Sequence, residues 1–125
     1  MTKAKQKAYK FGIYAEKIAV IFLRLKGYRV VAERYRNPKG EIDLLAVRGN
    51  TLAVIEVKAR KTFFSGAESI TPWKQQKIIG ALEWLLAGRG KIAGLGSMGE
   101  RNIRFDVMLI VPWRWPVHMK DAWRM

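Results

Sequence analysis

The chain has 125 residues, half of them hydrophobic, and 24 Lys and Arg against 10 Asp and Glu give a formal net charge of +14. That length supports one domain with one core and excludes separate substrate and catalytic domains, while the apolar content excludes disorder. The basic excess points to a polyanionic partner, and the absence of cysteine excludes disulfides, thiolate nucleophiles and zinc-thiolate sites.

The chain opens on a basic extension with Lys3, Lys5, Lys7 and Lys10. The apolar stretch after it is interrupted by Glu16, Lys17, Arg24 and Lys26, so neither a signal peptide nor a membrane span is expected, and the expected compartment is the cytoplasm. From about Tyr9 to Lys26, residues Ala15, Ile18, Ala19, Phe22, Leu23 and Leu25 recur at helical spacing, with Gly27 as the cap. Tyr28 to Arg36 reads as a strand, ended by the turn cluster Asn37-Pro38-Lys39-Gly40. Glu41 to Arg48 and Thr51 to Arg60 are rich in β-branched and aliphatic residues, and Gly49-Asn50 between them makes a two-residue hairpin turn. Arg60 to Ile70, around Phe63-Phe64, reads as a loop. Thr71-Pro72 starts a second helix that ends near Gly88, with Gln75, Ile79, Leu82 and Leu86 on one stripe.

Gly88 to Arg101 is glycine-rich and reads as a flexible connection. Asn102 to Val111 alternates, with Ile103, Phe105, Val107, Leu109 and Val111 on one face, and makes a fourth strand. The Trp-rich tail carries Trp113, Trp115 and Trp123, expected to cover an open edge of the core rather than to stack on bases. The fold class is therefore α/β, in the order α-β-β-β-α-β: a mixed sheet of about four strands flanked by helices. Its third and fourth strands run parallel through a right-handed crossover.

The hairpin carries the chemistry. Its turn sets a register in which Asp43 faces Glu56, with Cβ atoms roughly 4.5–5.5 Å apart. Opposed like charges destabilise a sheet, so a divalent cation is expected between them. Both acids continue the apolar row of Leu45, Val47, Leu52 and Val54, where an acid needs a cation, a proton or hydrogen-bond donors. Lys58 shares the face of Glu56 by the two-residue strand period. The same register puts Glu41 opposite Lys58, so a salt bridge competes with a catalytic role for that lysine. Gln75 extends the second helix's stripe toward the sheet, where it could bond a phosphate or a metal-bound water. Asp106 shares a face with Arg104 and is read as an ion pair or an edge position. His118, with no second histidine in the chain, is read as non-functional.

Gly12-Ile-Tyr-Ala-Glu16, Gly40-Glu-Ile-Asp43-Leu, Glu56-Val-Lys58-Ala-Arg60 and Arg104-Phe-Asp-Val107 together resemble the YraN family, which is similar to the PD-(D/E)XK nuclease superfamily and to archaeal Holliday junction resolvases. The resemblance runs from Gly12 to about Val111. It implies a restriction-endonuclease-like core with Asp43, Glu56 and Lys58 at the signature positions, Glu16 at the acidic position of the first helix, and Gln75 at a polar position of the following helix. Ile42 stands where the motif has proline.

The expected activity is metal-dependent hydrolysis of phosphodiester bonds in DNA, most readily branched or junction DNA, with a homodimer supplying paired cuts. Mg²⁺ or Mn²⁺ would be held by Asp43, Glu56, the Val57 carbonyl and Glu16, and Lys58 would position the attacking water or stabilise charge on the phosphate. Arg29, Arg34, Arg36, Lys39, Arg60 and Lys61 are the expected backbone contacts. The alternative is a non-catalytic nucleic-acid-binding module in which Glu41 pairs with Lys58; an RNA rather than DNA target is a weaker option, and no membrane partner is expected.

Overall fold

Thr2 starts the first helix well before its apolar stripe does. In the computed structural model, which describes residues 2–62, 70–88, 92 and 101–125, helix α1 spans Lys3–Leu25. Thr2 Oγ1 accepts the Lys5 amide at 3.1 Å as its N-cap. The basic extension is thus the first turns of α1, which carry no acid to offset the helix dipole. The far end closes as the sequence indicates. Gly27 takes φ +89°, its amide bonds Arg24 O, and the Tyr28 amide bonds Leu23 O at 2.9 Å, a Schellman closure.

Strands β1 (Arg29–Asn37), β2 (Gly40–Arg48) and β3 (Thr51–Ala59) form an antiparallel meander. Helix α2 (Pro72–Leu86) crosses to β4 (Asn102–Ile110), and β5 (Val117–Trp123) closes a sheet of order β1-β2-β3-β4-β5. Only β3 and β4 are parallel, as the crossover requires. The β2–β3 register pairs Arg48 with Thr51 and runs as expected to Leu44 and Ile55, with Gly49 at φ +57° in the turn. The connections read as a loop (Arg60 to Ile70) and as a flexible link (Gly88 to Arg101) fall largely outside the described residues.

The fifth strand is a correction to the sequence reading. The tail does not merely cover an edge; it becomes the edge, antiparallel to β4, with Trp123 stacked on Phe105 at 4.1 Å between ring centroids. Trp113 and Trp115, in contrast, cover nothing and stand in solvent.

The sheet is packed on both faces. Ala15, Ala19, Val20 and Leu23 of α1 meet Leu44, Ala46, Ala53, Ile55, Met108 and Ile110. On the other side Ile78, Ala81, Leu82 and Leu85 of α2 meet Leu45, Val47, Leu52, Val54, Phe105 and Val107. Each large side chain so buried contributes about 1.5–3 kcal/mol. Leu25, expected on the α1 stripe, is exposed, and the α2 stripe is rotated by one residue from the expected one, so that Ile78 and Leu85 replace Ile79 and Leu86.

What fixes α2 along the sheet is contact with the β1–β2 turn. A Cβ on Gly40 would run into the Lys77 carbonyl, and one on Gly80 would lie 3.0 Å from the Lys39 carbonyl oxygen. Asn37 fastens the junction: its Nδ2 donates to Ala81 O at 2.9 Å and its Oδ1 accepts the Lys39 amide at 2.9 Å. Among the described residues no helix is long and apolar enough to cross a membrane.

Candidate metal and nucleic-acid site

The β2–β3 ladder stops one step short of the two acids. Beyond the Leu44–Ile55 pair, the Val57 amide donates not to backbone but to Asp43 Oδ2 at 2.9 Å. Alternation along β2 breaks at the same place, since Ile42 joins Leu45 in the α2-side core while Leu44 belongs to the α1 side. On the neighbouring strand Arg34 lies between the pairs Glu33–Leu44 and Tyr35–Ile42, opposite Asp43. It takes φ +50°. That left-handed backbone costs a non-glycine residue about 1–2 kcal/mol. The Arg34 guanidinium is held by Glu16 Oε2, 2.6 Å from its Nε, and this bond, joined by one with Tyr9, raises the Arg34 pKa.

Glu56 completes the pair and is poorly provided for. Its side chain is 12% exposed. Its Oε2 is one of two buried side-chain polar atoms among the described residues with no hydrogen-bond partner, the other being Trp123 Nε1. Burial and then the Asp43 charge push its pKa up to about 8, against the opposing pull of Lys74. Lys74 Nζ lies 3.4 Å from Glu56 Oε1 and 3.6 Å from Glu41 Oε1. Burial works against its charge, yet Glu56, Asp43 and Glu41 together hold its pKa above the usual lysine value. Glu41 is also paired with Arg36 at 3.2 Å.

A buried carboxylate oxygen without a donor, beside a second carboxylate, is short of positive charge. Magnesium suits such a place, because it is commonly held by one or two carboxylates and completes its shell with water and substrate phosphate. The fit rests on these two acids. Among the described residues no group of three or more acidic or imidazole side chains is gathered tightly enough to hold a metal.

Of the other residues singled out in the sequence, Glu16, Arg34, Arg36 and Asp43 line one cleft of about 160 Å³, with Tyr9 at its edge. This brings the first-helix acid to the same end of the sheet as the pair. Lys58 is buried at 8% exposure, two residues beyond Glu56 on β3. Val57 gives its amide to Asp43, and Gln75 donates Nε2 to the Ile70 carbonyl at 3.0 Å, bracing the start of α2. Arg60 Nη1 donates to the Ala59 carbonyl, and Lys39 and Lys61 are exposed near this end of the sheet. Arg29 is not brought here, because it pairs with Val47 toward the opposite end of β1.

Lys74 is the residue the sequence reading missed. The true stripe of α2 places Lys74 one turn before Ile78, whereas a stripe through Ile79 ends on Gln75. The signal was present in the spacing of Ala81, Leu82 and Leu85, which fits Ile78 and Lys74 at least as well. Lys74 and Glu41 also line a second cleft, of about 300 Å³, with Arg36, Lys39, Lys77 and Trp73.

A third acid has the opposite surroundings. Asp106 on β4 is fully buried and accepts both Arg104 Nε and Nη2 at 2.8 Å, His118 Nε2 at 2.7 Å and the Asp121 amide at 3.0 Å. The Arg104 pairing was expected; the His118 contact was not. His118 is a buried link of this network rather than an incidental tail residue. Its Nδ1 lies 2.6 Å from Lys26 Nζ, a donor only, so Nδ1 accepts and Nε2 carries the proton given to Asp106. Arg104 Nη2 reaches the Tyr28 hydroxyl at 2.6 Å. Burial alone would raise the Asp106 pKa, but hydrogen bonds from His118, Arg104 and the Asp121 amide outweigh it and hold the acid below its ordinary value.

Residues 15–110 match the sequence model described as uncharacterised protein family UPF0102. A UPF0102 protein of Parvibaculum lavamentivorans is 50% identical over 117 residues, 94% of this chain and 84% of that protein. One from Paramagnetospirillum magneticum is 41% identical over 128 residues, covering 99% and 95%, and one from Bradyrhizobium diazoefficiens is 44% identical over 115 residues, covering 92% and 82%.

Proposed function

We propose that this chain, which belongs to the uncharacterised protein family UPF0102, is a metal-dependent endonuclease that hydrolyses phosphodiester bonds in branched or junction DNA. The observation that carries this reading is the unpartnered Glu56 oxygen beside Asp43, in an acid pair with a cationic cleft on its α2 side and a cleft of mixed charge on its α1 side. A module that only bound nucleic acid would gain nothing from a largely buried acid pair placed among the cations that would meet the phosphates.

Asp43 and Glu56 would hold Mg²⁺ or Mn²⁺, with the Val57 carbonyl and Glu16 completing the shell directly or through water. Bound there, the cation would polarise a phosphoryl oxygen and lower the pKa of a coordinated water. Lys58 would orient the attacking water or stabilise charge developing on the phosphate. Gln75 would serve as a polar support from α2. Arg34, Arg36, Lys39, Arg60 and Lys61 would hold the backbone near the cut, and Arg29 a more distant phosphate, all without reading sequence. A two-fold homodimer would supply the symmetric pair of cuts a junction needs, with exposed Trp113 and Trp115 as apolar contact surface.

The test is incubation with labelled four-way, forked and linear DNA in Mg²⁺, Mn²⁺ or EDTA. Cleavage should require the metal, vanish in Asp43→Ala, and vanish in Lys58→Ala with metal binding retained. Cleavage that survives EDTA and both substitutions would sink the reading. Sedimentation showing only monomer, with equal cutting of junction and linear duplex, would remove the dimer and the branched substrate.

A further inference from the structure

Trp73 stands 69% exposed in the first turn of α2, next in sequence to Lys74, whose Nζ lies 3.4 Å from Glu56 Oε1. An indole ring left in water forgoes the burial that makes tryptophan useful, so its surroundings matter more than its exposure. Lys77, one turn on, puts Nζ 5.6 Å from the ring centroid. Arg36, Lys39 and Lys74 line the same cleft of about 300 Å³, in which Glu41 is the one acid. This cleft shares Arg36 and Glu41 with the one that holds Asp43 and Glu16, and Lys74 also reaches Glu56. Its occupant would therefore meet Lys74, Arg36 and Glu41, the residues that connect this cleft to the acids.

The other exposed tryptophans give the control. Trp113 and Trp115 border a pocket with Tyr14 and Ile18, in which Arg114 is the single cation. An aromatic face and several cations together are what a nucleotide needs, a π surface for its base and positive charge for its phosphates. A base within a duplex has both faces covered by its neighbours, so a ring on a helix can stack only on a base that has left the stack. The cleft is also preformed, because Gly40, Gly80 and Asn37 hold the β1–β2 turn rigidly against α2.

We infer that the Trp73–Lys77 cleft holds an unpaired nucleotide flanking the phosphate at the acid pair, so that this protein selects DNA whose strand has left the duplex at that point. The inference deepens the nuclease reading by naming what makes a branched substrate preferred, and rests on it only for the location of the cut.

The experiment measures binding in Ca²⁺, to suspend cleavage, by the full chain to a single strand, a forked duplex and a continuous duplex of one sequence. A fluorescent base analogue is placed in the unpaired segment. Trp73→Ala should weaken single-strand and forked binding by roughly 5- to 100-fold and abolish quenching of the analogue, while continuous duplex changes by less than about twofold. Trp73→Phe should restore most of the binding, and the exposed position leaves folding intact. Equal loss on all three DNAs, or no loss, overturns the subsite. A same-sequence RNA that alone showed the Trp73 dependence would overturn the assignment to DNA. If Trp73 dependence holds but no DNA is cut in Mg²⁺, the nuclease reading fails and the subsite stands. Asp43-dependent cutting that ignores Trp73→Ala gives the converse.

Discussion

Asp43 and Asp106 occupy similar backbone settings in one sheet. Each lies at a break in a ladder, at the β2–β3 divergence and at the β4–β5 register shift, and each faces a residue of the adjoining strand with positive φ, Arg34 at +50° and Asp121 at +54°. Each accepts a backbone amide that the broken ladder releases. From there the two regions diverge. Asp106 receives Arg104 and His118 as well and ends with a depressed pKa, whereas Asp43 is set against Glu56, whose free oxygen and raised pKa mark a deficit of positive charge. Asp106 is fully buried while Asp43 and Glu56 are partly exposed, but the larger difference lies in their partners. The donor set of Asp106 is complete and that of Glu56 is not.

The largest effect is expected at Asp106. Asp106→Asn leaves Arg104 half-buried beside a neutral amide, and loss of one partner from such a buried pair costs about 3–5 kcal/mol, read as a lower denaturant midpoint. A loss under about 1 kcal/mol would show that the network holds nothing together. Gly40→Ala attacks the other region at a distance. Its methyl meets the Lys77 carbonyl, so α2 has to shift, and about 3 kcal/mol is expected, the upper end for overpacking against backbone. The shift carries Lys74 off Glu56. An unchanged melting temperature in Gly40→Ala would deny the tight turn–helix contact.

A pH series sharpens the same contrast through its signs. Glu56 is raised from an ordinary value of 4.5 to about 8, so the folded chain keeps a proton that the unfolded chain has lost. Stability from this group is full below about pH 4.5 and falls as pH rises toward 8. Glu56→Gln should remove that fall and stabilise the metal-free protein at pH 8 by about 2 kcal/mol, with little effect at pH 4. Asp106 acts in the reverse sense, its contribution being present above its ordinary value of 3.8 and lost as pH falls through its depressed one. Mn²⁺ should recover stability at pH 8 in wild type and not in Glu56→Gln. Denaturation midpoints rising with pH in wild type, and no less so in Glu56→Gln, would contradict the assignment.

The sequence exposed the hairpin acids because a two-residue turn leaves one register, and register alone decides which residues face. It exposed the first helix's end because Gly27 is the residue that left-handed closure favours. The face of the second helix is ambiguous by one position, since Ile78 and Ile79 are equally apolar; the spacing of Ala81, Leu82 and Leu85 admits the stripe through Ile78 and Lys74, and the sheet beneath selects it. β5 carries only a short alternation, Val117-His118-Met119-Lys120, which Asp121-Ala122 interrupts before Trp123. Its residues are held by Asp106 meeting His118 and the Asp121 amide, and by Trp123 on Phe105, contacts between strands that local pattern does not encode. The Glu16–Arg34 pair is long-range in the same way.

Lys74 stands between the acid pair and the basic cleft. In the metal-free protein its Nζ lies 3.4 Å from Glu56 Oε1, while Oε2 stays unpartnered. If the deficit exists for a divalent ion, Lys74 is a partial substitute that a metal must share the acids with. Removing it frees the site of a competing charge. At 26% side-chain exposure its attraction is screened, so the gain is modest. Lys74→Met should therefore tighten Mn²⁺ binding, measured by calorimetry without DNA, by roughly tenfold at most. The same substitution should weaken DNA binding, because Lys74 also faces the basic cleft. Weaker metal binding in Lys74→Met would mean that the lysine positions the acids rather than competes for them. Glu56 would then resemble Asp106 more closely than the unpartnered oxygen indicates.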